Sequence, residues 1–386
     1  MTIVLIGPAY PLRGGNALFL AHLYESLSAV HDVHVVSFSR LYPNLLFPGV
    51  RQNDISTMVL KRHPAEHIID SVNPLTWRRA ARRVAELNPH LLVFTWWNPF
   101  FGPLVRTVAQ SFRRRTGRPV VIVAENVISH EGRSVDRFLT RLALGSASAF
   151  VALSNVVEAT LTKLYPDVPV FRSTLPVYDC YTMGERRTRQ EAKRQLKLDS
   201  RNVILFFGYV RKYKGLMNLI DALPTIRISI PDAHLLVVGE FYDDPAPYRK
   251  AIARLGLEPH VTFINEYVAN ETVHLYFTAS DLVVLPYNEA TQSGILSIAY
   301  AFDRPVVVTN VGGLAELVDD GQTGFIVPPN DIPALASAVV KYFQEGKEQT
   351  FAANVAAKRR NTDFGEMQKI FAQIEERIVG QAAGRK

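Results

Sequence analysis

Cysteine is almost missing from this sequence: a single residue, Cys180, in 386. That excludes an intramolecular disulfide and any cysteine-rich metal site, and it fits a reducing cytoplasm. No apolar run approaches the roughly 18 to 20 residues that span a bilayer. The apolar opening, Thr2 to Gly7, is too short for a secretory signal and lacks a charged leader. Nothing in the composition points to a fibrous or disordered chain. What is present is 48% hydrophobic and 20% charged residues. That is enough for two cores, in a chain long enough for two domains of roughly 150 to 200 residues each.

The hydrophobic pattern alternates between strand-like runs and helical periods. In the first half, strands are expected at Ile3–Ile6, Val33–Phe38, the run ending in Trp96 and Trp97, Pro119–Ala124 and Ala149–Leu153. Helices are expected at about Asn16–Ala29, Pro74–Leu87, Leu104–Arg115, Val135–Gly145 and from Ser154. Between Ser39 and His67 the pattern is irregular, with one short strand expected near Thr57–Leu60. The charged stretch Thr174–Gln190 reads as a linker. Beyond it, strands at Val203–Phe207, His234–Val238 and Val261–Ile264 alternate with helices at Leu216–Ile226 and Pro247–Leu255. Two further helices are expected at Ile332–Phe343 and Phe364–Val379. Such alternation argues for parallel sheets with helices on both faces.

The stretch Asp281–Val327 is the most informative. It reads as a buried strand, a polar loop from Pro286 to Gln292, a helix opening at Ser293, a second strand at Pro305–Thr309, and a turn at Gly312 and Gly313. A loop at the carboxyl end of a strand faces the crevice where α/β proteins bind ligands, and the helix start offers free N–H groups and partial positive charge. Gly208–Gly215, GYVRKYKG, follows another apolar run. Its cations, on a short glycine-bounded loop, suit a diphosphate.

With these two motifs the chain resembles the retaining glycosyltransferases of family 4, α/β proteins of the GT-B fold with two Rossmann-like domains facing across a cleft. Lys214 and Gly215 match that family's G-R-x-x-x-x-K-G loop; Tyr209 stands where its arginine usually is, and Arg211 is the substitute. The family's paired glutamates fall on Ala290 and Ile298, with Glu289 one residue before the first and nothing acidic at the second. Val311–Glu316 and Gly321–Pro329 match well. The resemblance implies catalytic roles for Arg211, Lys214 and Glu289. It implies donor contacts from Gly14, Gly15, Asn16, Glu240, Tyr267, Val268, Gln292, Ser293, Gly294 and Ile295. The expected domains are 1–175, with helix 364–380 packing back on it, and 190–363.

Several residues keep two readings. The glycine pair Gly14 and Gly15 either lets backbone approach donor phosphates or only shapes a turn. Trp96 and Trp97 are either core aromatics or stacking faces for an acceptor. Glu125 stands where the family often has a histidine over the donor sugar, and His130 follows as a cleft residue or a capping one. The net charge of +7 gathers at Arg78, Arg79, Arg82 and Arg83, at Arg113–Arg115 with Arg118, and at Arg186, Arg187 and Arg189. These are either solvated faces or contacts with anionic lipid; nucleic acid is disfavoured because aromatics are not interleaved.

The expected function is transfer of a sugar from a nucleoside diphosphate sugar to a hydroxyl of a glycan or lipid-linked acceptor, with retention. The chain is expected to be cytoplasmic, peripheral on the inner membrane face. Rival readings are a nucleotide-sugar 2-epimerase of the same fold, or an inactive nucleotide-sugar-binding protein. No cofactor or metal is expected, because the Asp-x-Asp motif of the other glycosyltransferase architecture is absent. The pairs Asp243–Asp244 and Asp319–Asp320 are ill placed to converge on one ion.

Overall fold

The computed structural model describes the chain except residues 44, 46, 48, 50, 128–133, 184–186, 200, 361, 363 and 381–386. His130, Gly184 and Arg186 lie outside the described residues. The chain divides into two compact units: Met1–Asp54, Lys61–Leu175 and Phe364–Lys386 form the first, and Ile55–Leu60 with Pro176–Asp363 form the second.

The first unit contains strands β1 (Thr2–Ile6), β2 (Asp32–Arg40), β3 (Glu66–Asp70), β4 (Leu91–Trp96), β5 (Val120–Ala124), β6 (Ala149–Ala152) and β7 (Val170–Arg172). They lie in the order β3-β2-β1-β4-β5-β6-β7, and every pairing is parallel. The central strands are apolar throughout because helices cover both faces: all five residues of β5 are buried. Those helices are α1 (Gly15–Ser28), α2 (Pro74–Glu86), α3 (Gly102–Thr116), α4 (Ser134–Leu144) and α5 (Asn155–Leu164). The last helix of the chain, α13 (Gly365–Ile374), also packs here. It buries Met367, Ile370, Phe371 and Ile374 on one face. Ser26 Oγ donates to the Phe364 carbonyl at 2.8 Å, and the Phe364 ring stacks on His22 at 4.8 Å.

The second unit contains α6 (Arg189–Gln195), β8 (Asn202–Phe207), α7 (Leu216–Ser229), β9 (Ala233–Val238), α8 (Ala246–Arg254), β10 (Val261–Ile264) and α9 (Asn270–Ala279). It continues with β11 (Leu282–Leu285), α10 (Gly294–Ala301), β12 (Val306–Thr309), β13 (Gly324–Val327), α11 (Ile332–Gln344) and α12 (Glu348–Arg359). Its sheet runs β10-β9-β8-β11-β12-β13, again all parallel.

Two expectations need correction. Thr57–Leu60 forms no strand; the strand of that region is β3, which pairs with β2. Residues 55–60 instead serve the second unit. Ser56 Oγ accepts from Asn270 N at 2.9 Å, and Glu271 accepts from Thr57 Oγ1 at 2.9 Å, so the two hydroxyls of this segment engage the open first turn of α9. The boundary between the units falls inside Thr174–Gln190, between Leu175 and Pro176, and the residues from Pro176 belong to the second unit, where Tyr178 and Cys180 are buried. Thr188 closes a capping box with Glu191 at the start of α6.

Candidate functional site

In the second unit β8 is followed by Gly208, whose φ of 101° is a conformation that glycine adopts without strain. The absence of a Cβ there lets two elements meet: a Cβ would lie 3.3 Å from Lys214 Nζ and 3.2 Å from Ile295 Cδ1. The ammonium of the 208–215 loop therefore sits beside the first turn of α10. Gly215, at φ 68°, packs so closely that a Cβ would overlap the Pro286 carbonyl oxygen. Asn288 ties the two loops together, donating its N–H to the Tyr213 carbonyl at 2.7 Å and accepting from Asn218 Nδ2 at 2.9 Å.

Lys214 is only 9% exposed, and its ammonium has no hydrogen-bond or ion-pair partner among the described residues. Its Nζ lies over the Tyr287 ring, 5.5 Å from the centroid. Burial, reinforced by the Arg211 guanidinium, lowers its pKa to about 8. The Tyr287 hydroxyl is in turn 3.2 Å from Ser293 Oγ, and Ser293 caps α10 by accepting from Ile295 N at 3.3 Å. Of the early N–H groups of α10, that of Ile295 is thus engaged by the cap. Arg211 lies over the Tyr242 ring at 5.1 Å, and Tyr209 stacks on the same ring at 4.5 Å. Tyr209, at the position of the family's arginine, therefore helps to build the platform that carries Arg211.

The remaining residues of this unit differ in setting. Glu240 is 7% exposed, and its carbonyl accepts from Val210 N at 2.9 Å, so it adjoins the 208–215 loop. Gln292 precedes the α10 cap, with Oε1 buried and without a hydrogen-bond partner among the described residues. Glu289 is exposed on the loop between β11 and α10, while Tyr267 and Val268 are half-buried after β10. Ile298 is buried on α10, so an apolar side chain fills the position expected for the second glutamate. Tyr287, Tyr242 and Asn288 escaped the sequence reading; the only signal was that Tyr287 and Asn288 lie at the end of β11, two residues from Pro286 at most.

The first unit groups a second set at the carboxyl edge of its own sheet. Gly14 has φ 111° at the start of α1, and a Cβ at Gly14 or Gly15 would meet nothing within 4 Å. With the Asn16 amide turned end for end, so that its nitrogen faces an acceptor and its oxygen a donor, it donates to Glu125 Oε2 at 3.1 Å and accepts from Trp97 Nε1 at 3.1 Å. Trp97 Nε1 also donates to the Tyr42 hydroxyl at 3.1 Å. Glu125 Oε1 is buried with no partner among the described residues, and burial raises the carboxyl pKa to about 8. Trp96, by contrast, is 1% exposed within the core, because its place on β4 turns it inward; it presents no ring to a ligand.

The arginine clusters also separate. Arg83 pairs with Glu66 at 2.7 Å, Arg118 donates to the Pro89 carbonyl, and Arg189 bridges Asp281 and Glu348, so these three hold the fold. Arg78, Arg79, Arg82, Arg106 and Arg114 remain exposed on α2 and α3 without ion pairs among the described residues. Exposed apolar side chains accompany them, Leu75 on α2 and Val135 and Phe138 on α4. No helix among the described residues is long and apolar enough to cross a membrane.

Residues 201–345 match the family described as Glycosyl transferases group 1. Spore coat protein SA of Bacillus subtilis (strain 168) is 27% identical over 201 residues, which cover 48% of this chain and 52% of that protein. The chain spans about half the length, or less, of the first such curated relatives. A longer match joins it to the GDP-mannose-dependent alpha-(1-6)-phosphatidylinositol monomannoside mannosyltransferase of Mycolicibacterium smegmatis, 27% identical and covering 97% of both chains. Among solved structures, Anabaena HepE in complex with UDP is 20% identical, with a TM-score of 0.76, covering 97% of this chain and all of that one. This likeness shows the fold: two Rossmann-like α/β units, the GT-B architecture.

Proposed function

We propose that the protein transfers a sugar from a nucleoside diphosphate sugar to an acceptor hydroxyl, with retention of anomeric configuration and without a metal. The observation that carries this reading is the buried, unpartnered Lys214 ammonium beside the first turn of α10, with Arg211 held nearby. An unpaired buried cation raises the free energy of the empty protein, and a diphosphate offers the charge that it lacks. As the sugar–phosphate bond breaks, negative charge grows on the departing diphosphate. Donors already aimed at that charge lower the barrier. The acceptor hydroxyl attacks the anomeric carbon on the face the diphosphate leaves, and its proton passes to the leaving phosphate oxygen. Glu289 is assigned to hydroxyls of the donor sugar, and Tyr267 and Val268 to the base. With Ile298 on α10, the ribose is held without a carboxylate from that helix.

The named partners of the relatives support the substrate class: GDP-mannose and a phosphatidylinositol mannoside for the mycolicibacterial enzyme, UDP for HepE. A lipid-linked acceptor also agrees with the basic face of the first unit, where the free arginines of α2 and α3 lie with Leu75, Val135 and Phe138. We assign that face to an anionic bilayer. Binding to anionic vesicles is expected at low salt and to fade as the Debye length falls below about 10 Å; equal binding to neutral vesicles would reject the assignment. For the donor site, calorimetry should show UDP or GDP binding that Lys214→Ala weakens at least tenfold. Unchanged affinity would reject it.

A further inference from the structure

The amino edge of the second unit's sheet, opposite the edge that carries Lys214, gathers four basic side chains from four different segments. Arg201 precedes β8, Arg227 lies in the last turn of α7, His234 is on β9, and His260 directly precedes β10. The sheet register sets Val203 beside His234, and Thr262, the second residue of β10, places its Oγ1 2.8 Å from His234 Nε2. Three nitrogens of the group are buried with no hydrogen-bond partner among the described residues: Arg227 Nη1, His234 Nδ1 and His260 Nδ1. His234 is only 5% exposed. Asp232, a carboxylate drawn into the cluster, already accepts twice from Asn202 Nδ2, at 2.9 and 3.0 Å.

Buried polar groups in native proteins are paired, so three orphaned nitrogens in one place call for an explanation. Water could satisfy their hydrogen bonds but not the mutual repulsion of the charges. That repulsion is large enough to matter: burial and then Arg201, His260 and Arg227 lower the His234 pKa to about 4, and burial with Arg227 and Arg201 lowers that of His260. The charged form of Arg227 is itself disfavoured by burial and by Arg201, with Asp232 opposing. A ligand that relieves all of this must be an anion with several acceptor oxygens. Guanidinium forks and imidazole N–H groups match a tetrahedral oxyanion in both charge and geometry.

We propose that Arg201, Arg227, His234 and His260 form a second anion site, for phosphate or a phosphate monoester, separate from the Lys214 loop. When Thr262 Oγ1 donates to His234 Nε2, Nδ1 carries the proton and points its N–H at the anion. Arg201 and Arg227 supply the charge at neutral pH. Below that range the imidazoles become charged as well, so binding tightens as pH falls. The half-buried state of Arg201, Arg227 and His260 leaves the site open to small solutes. The inference is independent of the transferase reading, because it uses no residue of that site.

The test is NMR of the full chain carrying ¹³C-labelled histidine, titrated with inorganic phosphate near pH 6. His234→Gln and His260→Gln assign the two resonances by their loss. Both resonances should shift saturably with phosphate, and their titration midpoints should rise by about 1 to 3 pH units, as an opposite charge at close range requires. The same response in Lys214→Ala separates this site from the other phosphate loop. Arg227→Ala should weaken binding at least tenfold, and Arg227→Lys less. Thermal unfolding shows that each variant is folded, and the Lys variant keeps the test valid if the Ala variant is not. Resonances indifferent to phosphate, or an unchanged response in a folded Arg227 variant, would overturn the proposal.

Discussion

Replacing Lys214 with Met should make the protein more stable and far less active. The side chain is 9% exposed, unpaired, and lowered in pKa from 10.5 to about 8, chiefly by burial. A displacement of that size corresponds to roughly 3 kcal/mol by which the folded state disfavours the charged form. The sign follows from proton counting. Between pH 8 and 10.5 the unfolded chain holds the proton and the folded chain does not, so stability rises with pH across that interval. The penalty is fully present below pH 8 and gone above about 10.5. Met keeps most of the volume and removes the charge, so Lys214→Met should unfold at a higher temperature than the parent at pH 7. The difference should shrink as pH approaches 10. Turnover should fall more than a hundredfold, because losing one preorganised donor costs about 2.7 to 4 kcal/mol in the transition state. The assay pairs thermal unfolding at several pH values with nucleoside diphosphate release. A variant equally stable at every pH, or a turnover loss under fivefold, would refute the reasoning.

Glu125→Gln should stabilise the protein increasingly as pH rises from 4.5 to 8, since burial lifts this carboxyl to about 8 and the folded state resists its ionisation; parallel unfolding curves at pH 4.5 and 8 would contradict this. Gly215→Ala should lower both stability and nucleotide affinity, because its Cβ would overlap the Pro286 carbonyl and force the lysine loop off the β11–α10 loop; a thermal melt and calorimetry measure the two effects. Glu289→Ala should impair sugar handling more than affinity for the bare nucleoside diphosphate, as competition binding with UDP and a UDP-sugar would reveal. Transfer should persist in excess chelator, since Arg211, Lys214 and the α10 start supply the charge that a metal would bring; loss restored by magnesium would refute that.

Much of this architecture was legible because its strands are buried on both faces. Runs such as VVIVA and VILFF admit few alternatives, and Ser293 before α10 is a capping residue that fixes a helix start. Short or polar elements were not. The strand β3, EHIID, is half charged, and residues 55–60 are placed by the needs of α9 more than two hundred positions away. α12, with few buried residues, carries a weak period, and it was missed. At the site, Lys214 and Gly215 stood out through their spacing. Tyr287, Tyr242 and Asn288 act through contacts between loops, which no local pattern encodes. Trp96 shows the opposite error: a pair of tryptophans at a strand end suggested a binding face, but strand alternation turns the first of them into the core.

The central claim is that Lys214 and Arg211 stabilise a departing nucleoside diphosphate during sugar transfer. Its most direct test is incubation of the full chain with a panel of UDP- and GDP-sugars and a lipid-linked acceptor, following products by chromatography and NMR. The account predicts free nucleoside diphosphate together with a glycoside that keeps the donor's anomeric configuration, both reduced more than a hundredfold in Lys214→Ala. An inverted product, a new nucleotide sugar in place of free diphosphate, or equal turnover in the Lys214 variant would contradict it.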